Sequence, residues 1–146
     1  MIIEIRDNSN KLIDKISRII PNTQKSIRLG FYELGSELVR STKRDILRKG
    51  RRGNVYKVRG RRHVASIPGE APASISGDLW RSLNFTVKGS SKMEFGYDNS
   101  VDYGKYLELG TSRMRARPGL KINIRRNQKT ARNAFESSLR RHLNDS

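Results

Sequence analysis

Residues 83–97, "LNFTVKGSSKMEFGY", show the clearest alternation of apolar and polar residues in this chain. Alternate positions on both sides of "KGSSK" are large and apolar: Leu83, Phe85, Val87, Met93, Phe95 and Tyr97. A period of two is typical of strands that bury one face. Because a loop rich in Gly and Ser joins the two runs, we expect a β-hairpin at the centre of the fold.

Helical spacing of apolar residues dominates the chain before this hairpin. Residues 1–7, "MIIEIRD", alternate weakly and predict a short first strand, and residues 12–20 predict a helix that Pro21 ends. Asn22 and Thr23 are suitable caps for a second, longer helix. Its apolar positions recur at helical spacing: Ile27, Phe31, Leu34, Leu38, Val39 and Ile46.

Three further helices are predicted around and after the hairpin. Ser76 is a suitable cap for a short helix that carries Leu79 and Trp80. A second short helix over residues 101–109 ends at Gly110, where a left-handed stop is expected. Pro118 is placed to begin the last helix. The apolar stripe of that helix is Leu120, Ile124, Ala131, Phe135, Leu139 and Leu143.

These elements predict one domain over residues 1–146. Its fold class is α+β: a small antiparallel β-sheet packed with a long helix in the N-terminal half and a C-terminal helix, plus an extended basic arm. At 34% hydrophobic residues the composition is lean for 146 residues. A monomer with so few hydrophobic residues indicates either mobile segments or apolar surface that neighbouring subunits cover.

Positive charge is concentrated in two stretches. The chain has 31 Lys and Arg against 14 Asp and Glu, a net charge of +17. Residues 40–63 carry a net charge of +10 and residues 113–142 carry +9, so the remainder is slightly acidic. Charge gathered in this way points to a polyanionic partner such as nucleic acid, an acidic protein face or a membrane surface.

Residues 48–67 read as a mobile basic arm or hairpin, with a weak strand over residues 54–58. A solvated stretch without a partner is one interpretation, and contact with nucleic acid or an acidic protein is the other. Tyr56 is the only aromatic residue between residues 33 and 79, so any nucleic-acid contact would be to phosphates rather than stacked bases. The candidate polyanion contacts are Arg48, Lys49, Arg51, Arg52, Lys57, Arg59, Arg61 and Arg62.

The sequence contains no convincing set of catalytic or metal-binding residues. Without cysteine there is no disulfide, thiolate catalysis or cysteine metal site, and the isolated His63 and His142 are typical of surface residues. Asp78 and Asp102 suit helix starts. Glu108 is expected on an exposed or salt-bridged face, the alternative being a pair with an arginine of another subunit. We therefore expect no enzyme activity, no cofactor and no metal.

A long apolar run and a signal peptide are both missing from the sequence. We accordingly expect no membrane partner and synthesis in cytoplasm.

Four short motifs follow one another between residues 68 and 118. They are Pro68, Gly69 and Pro72; Ser76, Gly77, Leu79 and Ser82; Tyr103, Tyr106, Glu108, Gly110 and Thr111; and Arg117 with Pro118. In this order and spacing the chain resembles the tail-component proteins of long-tailed bacteriophages, also called tail-completion, neck or head–tail joining proteins. Gly119 departs from the family, in which a large apolar residue usually follows Arg-Pro, and the basic arm is longer than the family's.

The resemblance implies an α+β virion protein assembled in the host cytoplasm. It implies a homo-oligomer, commonly a hexameric ring, at the head-proximal end of the tail, where the ring contacts neck, connector and tail-tube proteins. A tail terminator, an adjacent neck ring and a minor head component are all compatible with the motifs. The alternative function, a basic protein that contacts the phosphate backbone of nucleic acid, rests on the charge alone.

Residues 106–118, within "YLELGTSRMRARPG", are expected to line a subunit contact. Arg113, Arg115 and Arg117 would run extended and point one way, while Met114 and Ala116 face the other. A mobile arginine-rich surface loop is the alternative. The interface residues predicted from motif and pattern are Tyr103, Tyr106, Glu108, Gly110, Thr111, Arg113, Arg115, Arg117 and Pro118.

Overall fold

The computed structural model describes residues 1–6, 23–49 and 51–144. Along the chain its elements are β1 (Ile2–Arg6), α1 (Thr23–Ile46), β2 (Val55–Val58), β3 (Arg61–Val64), α2 (Asp78–Arg81), β4 (Leu83–Lys88), β5 (Lys92–Tyr97), α3 (Gly104–Leu109) and α4 (Gly119–Asn144). The helix predicted over residues 12–20 and the cap at Asn22 lie outside the described residues. The α+β class, with a small antiparallel sheet, a long helix in the N-terminal half and a C-terminal helix, is confirmed.

The hairpin predicted at residues 83–97 forms the larger sheet. β4 and β5 pair antiparallel, and a loop of only three residues joins them, with Gly89 at φ 66°. The N-terminal strand is also confirmed, and it pairs antiparallel with β5 to give the order β1–β5–β4. At Gly96 a Cβ would come within 2.5 Å of the Met1 carbonyl oxygen, so glycine lets β1 approach β5 closely.

One face of this sheet forms the core. The cross-strand pairs Leu83–Tyr97, Phe85–Phe95 and Val87–Met93 put all six alternating apolar residues on the same side. Their partners from α1 are Ile27, Phe31, Leu38 and Ile46, each at most 2% exposed. The helical and strand periodicities of the sequence therefore met in one hydrophobic core, as expected.

Two glycines allow α1 to pack closely on both of its neighbours. A Cβ at Gly35 would overlap the ring of Phe85 on β4, and a Cβ at Gly30 would lie 2.5 Å from the ring of Phe135 on α4. Phe31 also packs against Phe135, with ring centroids 5.4 Å apart. The helix-weakening cost of both glycines, about 1 kcal/mol each, is thus offset by close packing.

Polar side chains fix how α4 lies along α1. The Asn123 amide donates to the Asp45 carboxylate at 3.0 Å, and the Asn127 amide donates to the Ser41 hydroxyl at 3.0 Å. Asn123 is 1% exposed, and such buried polar pairs favour one register over others because a shift would leave them unpaired. Leu120 is fully buried on this helix, whereas the side chains of Ala131, His142 and Leu143 lie outside the described residues.

The basic arm contains a second antiparallel hairpin, formed by β2 and β3. The strand predicted near residues 54–58 is confirmed at Val55–Val58, but the sequence did not indicate its partner, Arg61–Val64. At the tip, Arg59 and Gly60 have φ values of 50° and 75°. Such two-residue turns usually carry Asn-Gly or Asp-Gly, so Arg-Gly did not show where the turn of the hairpin alternative for residues 48–67 lies.

The predicted cap of α2 was one residue early. Gly77, with φ 94°, occupies the N-cap position, and it has no side chain to bond the helix. The Ser76 hydroxyl lies just before it and accepts a long hydrogen bond from the Asp78 N–H at 3.4 Å.

Candidate functional site

Glu108 is a buried cap of the last helix, which contradicts its expected exposed or salt-bridged position. Its carboxylate accepts hydrogen bonds from the backbone N–H groups of Leu120 at 2.7 Å and Lys121 at 3.5 Å, and also from Gly119. The side chain comes from α3, 12 residues before Leu120, and is 6% exposed. A carboxylate at a helix N-terminus satisfies unpaired donors and interacts favourably with the helix dipole.

Burial and hydrogen bonding act on this carboxyl in opposite directions. Desolvation raises the pKa of Glu108, while the N–H donors of α4 and the Tyr97 hydroxyl hold part of that rise back. Tyr97 donates to Glu108 at 3.4 Å, and its own pKa is raised by burial and by the nearby carboxylate. Both oxygens of Glu108 therefore bond within the chain, and pairing with an arginine of another subunit would require breaking this cap.

There is a steric reason why position 119 is glycine rather than the large apolar residue that usually follows Arg-Pro in the resembling family. A Cβ at this position would lie 3.0 Å from Pro72 Cδ and 3.1 Å from the Tyr97 hydroxyl oxygen. Glycine thus lets the first turn of α4 enter the space between Pro72 and Glu108. The prediction that the last helix begins at Pro118 is confirmed within one residue.

The segment after α3 makes a tight turn instead of an extended ribbon. Gly110 has φ 76° and ends α3 as expected, although its ψ of 178° is not that of a left-handed helix. Thr111 and Met114 then bond to each other through both backbone groups, at 2.7 and 3.3 Å. This turn brings the chain back on itself, because the N–H of Arg117 donates to the carbonyl of Leu107 at 2.6 Å.

The three arginines therefore do not share one face. Arg113 and Arg115 are exposed, whereas Arg117 is half-buried and its guanidinium donates to the carbonyl of Ser66 at 3.2 Å. A second link joins the same two segments, since the Gly69 N–H donates to the Ala116 carbonyl at 3.0 Å. The expectation that all three point one way is wrong, because the loop folds back on residues 66–69.

An apolar row remains exposed on the outer side of α3. Tyr103, Tyr106 and Leu109 follow one another at three-residue spacing and are 46%, 47% and 70% exposed. We call these residues the exposed α3 row. Leu109, the most exposed of the three, lies within the segment 106–118 that was expected to line a subunit contact, but it was not one of the interface residues named individually. Its helical spacing from the two tyrosines is the signal that could have identified it.

A cavity of about 420 Å³ opens where the C-terminal end of α1 meets β3. We call it the basic cavity, because Arg48, Lys49, Arg51, Arg62 and His63 line it. Four of the eight predicted polyanion contacts are thus brought together, and His63, for which no role was expected, joins them. The other four lie elsewhere on the surface, all exposed: Arg52, Lys57, Arg59 and Arg61.

Among the described residues, no group of three or more His, Cys, Asp or Glu side chains could hold a metal ion. Within the same residues, no helix has the length and apolar character needed to cross a bilayer.

Three of the motif residues that carry the phage resemblance, Pro72, Glu108 and Gly110, lie near the first turn of α4 or the loop that leads to it. Pro72 contacts Gly119, Glu108 caps the helix, and Gly110 lies against Ala116, where a Cβ would be 2.9 Å from the backbone nitrogen. The family itself stays a prediction from these motifs. No family model, no curated protein and no solved structure matches this chain.

Proposed function

We propose that this chain is a non-enzymatic structural subunit of a tailed-phage virion. Copies of it would form a ring, commonly hexameric in the resembling family, at the head-proximal end of the tail. The ring would complete the tail and join it to the head connector, touching neck and tail-tube proteins. The order of the four motifs supports this proposal, and the exposed α3 row is the structural observation that carries it.

The exposed α3 row is suited to a partner because it is apolar and lies on one side of a short helix. Burying one leucine completely stabilises a contact by about 1.5–3 kcal/mol, and Leu109 has 70% of its surface available. Tyrosines are enriched in such contacts because the ring is apolar and the hydroxyl can still bond water or a partner. Arg113 and Arg115 follow the row in sequence and are exposed, so they suit the polar rim of the same contact.

A ring requires two different surfaces on each subunit, since every copy meets its two neighbours in a head-to-tail manner. Within residues 1–6, 23–49 and 51–144, β1 and β4 are the outer strands of the three-stranded sheet, which gives the subunit a second kind of surface. Ile2 on β1 is 54% exposed. An open strand edge presents unpaired backbone groups that a neighbouring chain can bond.

The test compares Leu109→Glu with Ile75→Glu, which places the same charge on another exposed apolar residue, 61% exposed. Phage particles made without this protein should appear in micrographs as free heads beside unjoined tails. The Ile75 variant should restore joined particles, whereas the Leu109 variant should not. Normal virions without the protein would refute the proposal. Full rescue by Leu109→Glu would show that the exposed α3 row is not part of the contact between subunits or partners.

Sequence-independent binding of nucleic acid is a second candidate function, favoured by the cationic residues around the basic cavity. Size-exclusion mass with and without DNA at two salt concentrations separates the two functions. Rings that form without DNA support the structural role. A monomer whose DNA affinity falls steeply with salt supports the second.

A further inference from the structure

We infer that the basic cavity binds backbone phosphates of duplex DNA without reading its sequence. This inference rests on the second candidate function, which it assigns to one cavity and one ligand, and it is independent of the ring proposal because the cavity lies within one subunit. Its lining comes from the C-terminal end of α1 and the residues after it, from β3, and from Ala73 and Ser74.

The cations of the cavity are available to a ligand. Within the described part of the chain, no carboxylate lies at ion-pair distance from Arg48, Lys49 or Arg62. These three side chains are exposed around an opening that also has apolar walls, including Ile46 and Leu47. An anion held among them would meet several positive charges against a surface of reduced polarity, where attraction is stronger than in open water.

Arg51 adds a buried and incompletely paired guanidinium to this site. Its side chain is only 8% exposed, and it donates to the carbonyl of Asp45. Its Nη1 lies 3.6 Å from the carboxylate of Glu70, which is an ion pair but too long for a hydrogen bond. Its Nε has no hydrogen-bond partner. Because this Nε is itself buried, Arg51 contributes its positive charge to the cavity rather than a bond from that atom to a phosphate oxygen.

The β2–β3 hairpin carries cationic side chains whose placement lowers its own stability. Lys57 lies directly opposite Arg62 in the strand register, and like charges in that position are destabilising. Arg59 occupies a positive-φ position at the tip, where Asn or Gly would be less strained. Local rules broken in one segment are expected at functional sites, and a bound polyanion would relieve the repulsion between Lys57 and Arg62.

The arrangement favours the backbone of a double helix over a mononucleotide or a single strand. Cations extend past the cavity along the hairpin, at Lys57, Arg59 and Arg61, which suits a chain of phosphates rather than one. No Phe, Tyr or Trp lines the cavity itself, and the exposed Tyr56 opposite His63 is a single ring rather than the series of rings on which single strands stack.

The test measures fluorescence anisotropy of a short labelled duplex of mixed sequence, titrated with the full chain over a range of salt. The cavity variant is Arg48→Gln with Arg62→Gln, because both side chains are exposed and the buried Arg51 is left in place. The matched control is Arg125→Gln with Lys129→Gln, an equal loss of charge on the exposed face of α4. Circular dichroism of each variant checks that it is folded.

The cavity variant should bind about tenfold more weakly, and its slope of log affinity against log salt should shrink by nearly 2, at about 0.9 for each phosphate contact. The control should stay within about twofold of the wild type. Equal losses in both variants would mean diffuse attraction and would overturn the inference. Competition by poly-glutamate as strong as by unlabelled duplex would point to an acidic protein, and tighter binding of single-stranded RNA would also overturn it.

Discussion

Replacing Glu108 with alanine should destabilise the protein by about 3 kcal/mol, because the carboxylate is the cap of α4. The substitution leaves the N–H groups of Gly119 and Leu120 buried without an acceptor, together with the Tyr97 hydroxyl. Each buried polar group left unpaired costs about 1–3 kcal/mol, and water entering the space of the lost side chain returns part of that cost. Lys121 is exposed, so its N–H can bond to solvent instead.

The assay is urea unfolding followed by circular dichroism, with thermal unfolding as a second readout. For a chain of this size a loss of 3 kcal/mol lowers the Tm by about 6–12 °C. Glu136→Ala is the control, because Glu136 forms an exposed ion pair with Arg132 on α4 and should contribute less than about 0.5 kcal/mol. Equal unfolding free energies for Glu108→Ala and the wild type would refute the cap and restore an exposed position for this side chain.

Two further predictions concern the pKa of Glu108 and the packing of Gly35 against Phe85. Burial raises the pKa of Glu108 above its ordinary 4.5, so the folded state binds a proton more readily than the unfolded state. The residue therefore contributes more stability as the pH falls through the range between its raised pKa and 4.5. The Tm of the wild type minus that of Glu108→Gln should therefore increase as the pH is lowered from neutral toward the ordinary value of 4.5, and a constant difference would contradict the shift. Gly35→Ala should cost about 1–2 kcal/mol in urea unfolding despite its helix-propensity gain of about 1 kcal/mol, because the new methyl overlaps Phe85. Ser36→Ala, at an exposed position of α1, is its control, and a Gly35→Ala variant as stable as the wild type would show that the ring moves freely.

Most of the fold could be predicted because its elements carry strong periodic signals. The alternation at residues 83–97 and the helical stripe ending at Ile46 indicated both the elements and their buried faces. Periodicity does not say which distant segments meet, so neither the pairing of β1 with β5 nor the packing of Gly30 on Phe135 followed from it. Those contacts depend on small residues whose role appears only when the neighbouring element is in place.

The site was harder to predict because a side chain's surroundings decide its role. Glu108 sits between two leucines in the sequence, which says nothing of the helix N-terminus that it caps 12 residues later. Arg117 has the same spacing as Arg113 and Arg115, yet the turn between Thr111 and Met114 brings it onto Ser66. The cluster of cations was visible as composition, but their assembly with His63 around a cavity required the hairpin.

The positions of the motif residues also bear on what the phage resemblance can mean. Glu108, Gly110, Arg117 and Pro72 all act within the subunit, by capping α4, allowing close approach or tying the loop after α3 to residues 66–69. Packing alone is a sufficient physical reason for a chain to carry these residues at these spacings. Two motif residues, Tyr103 and Tyr106, are instead exposed. Partner choice would depend on them and on exposed side chains between the motif positions: Leu109, Arg113 and Arg115. The resemblance therefore bears both on how the chain folds and, through Tyr103 and Tyr106, on part of the surface that the proposed ring requires.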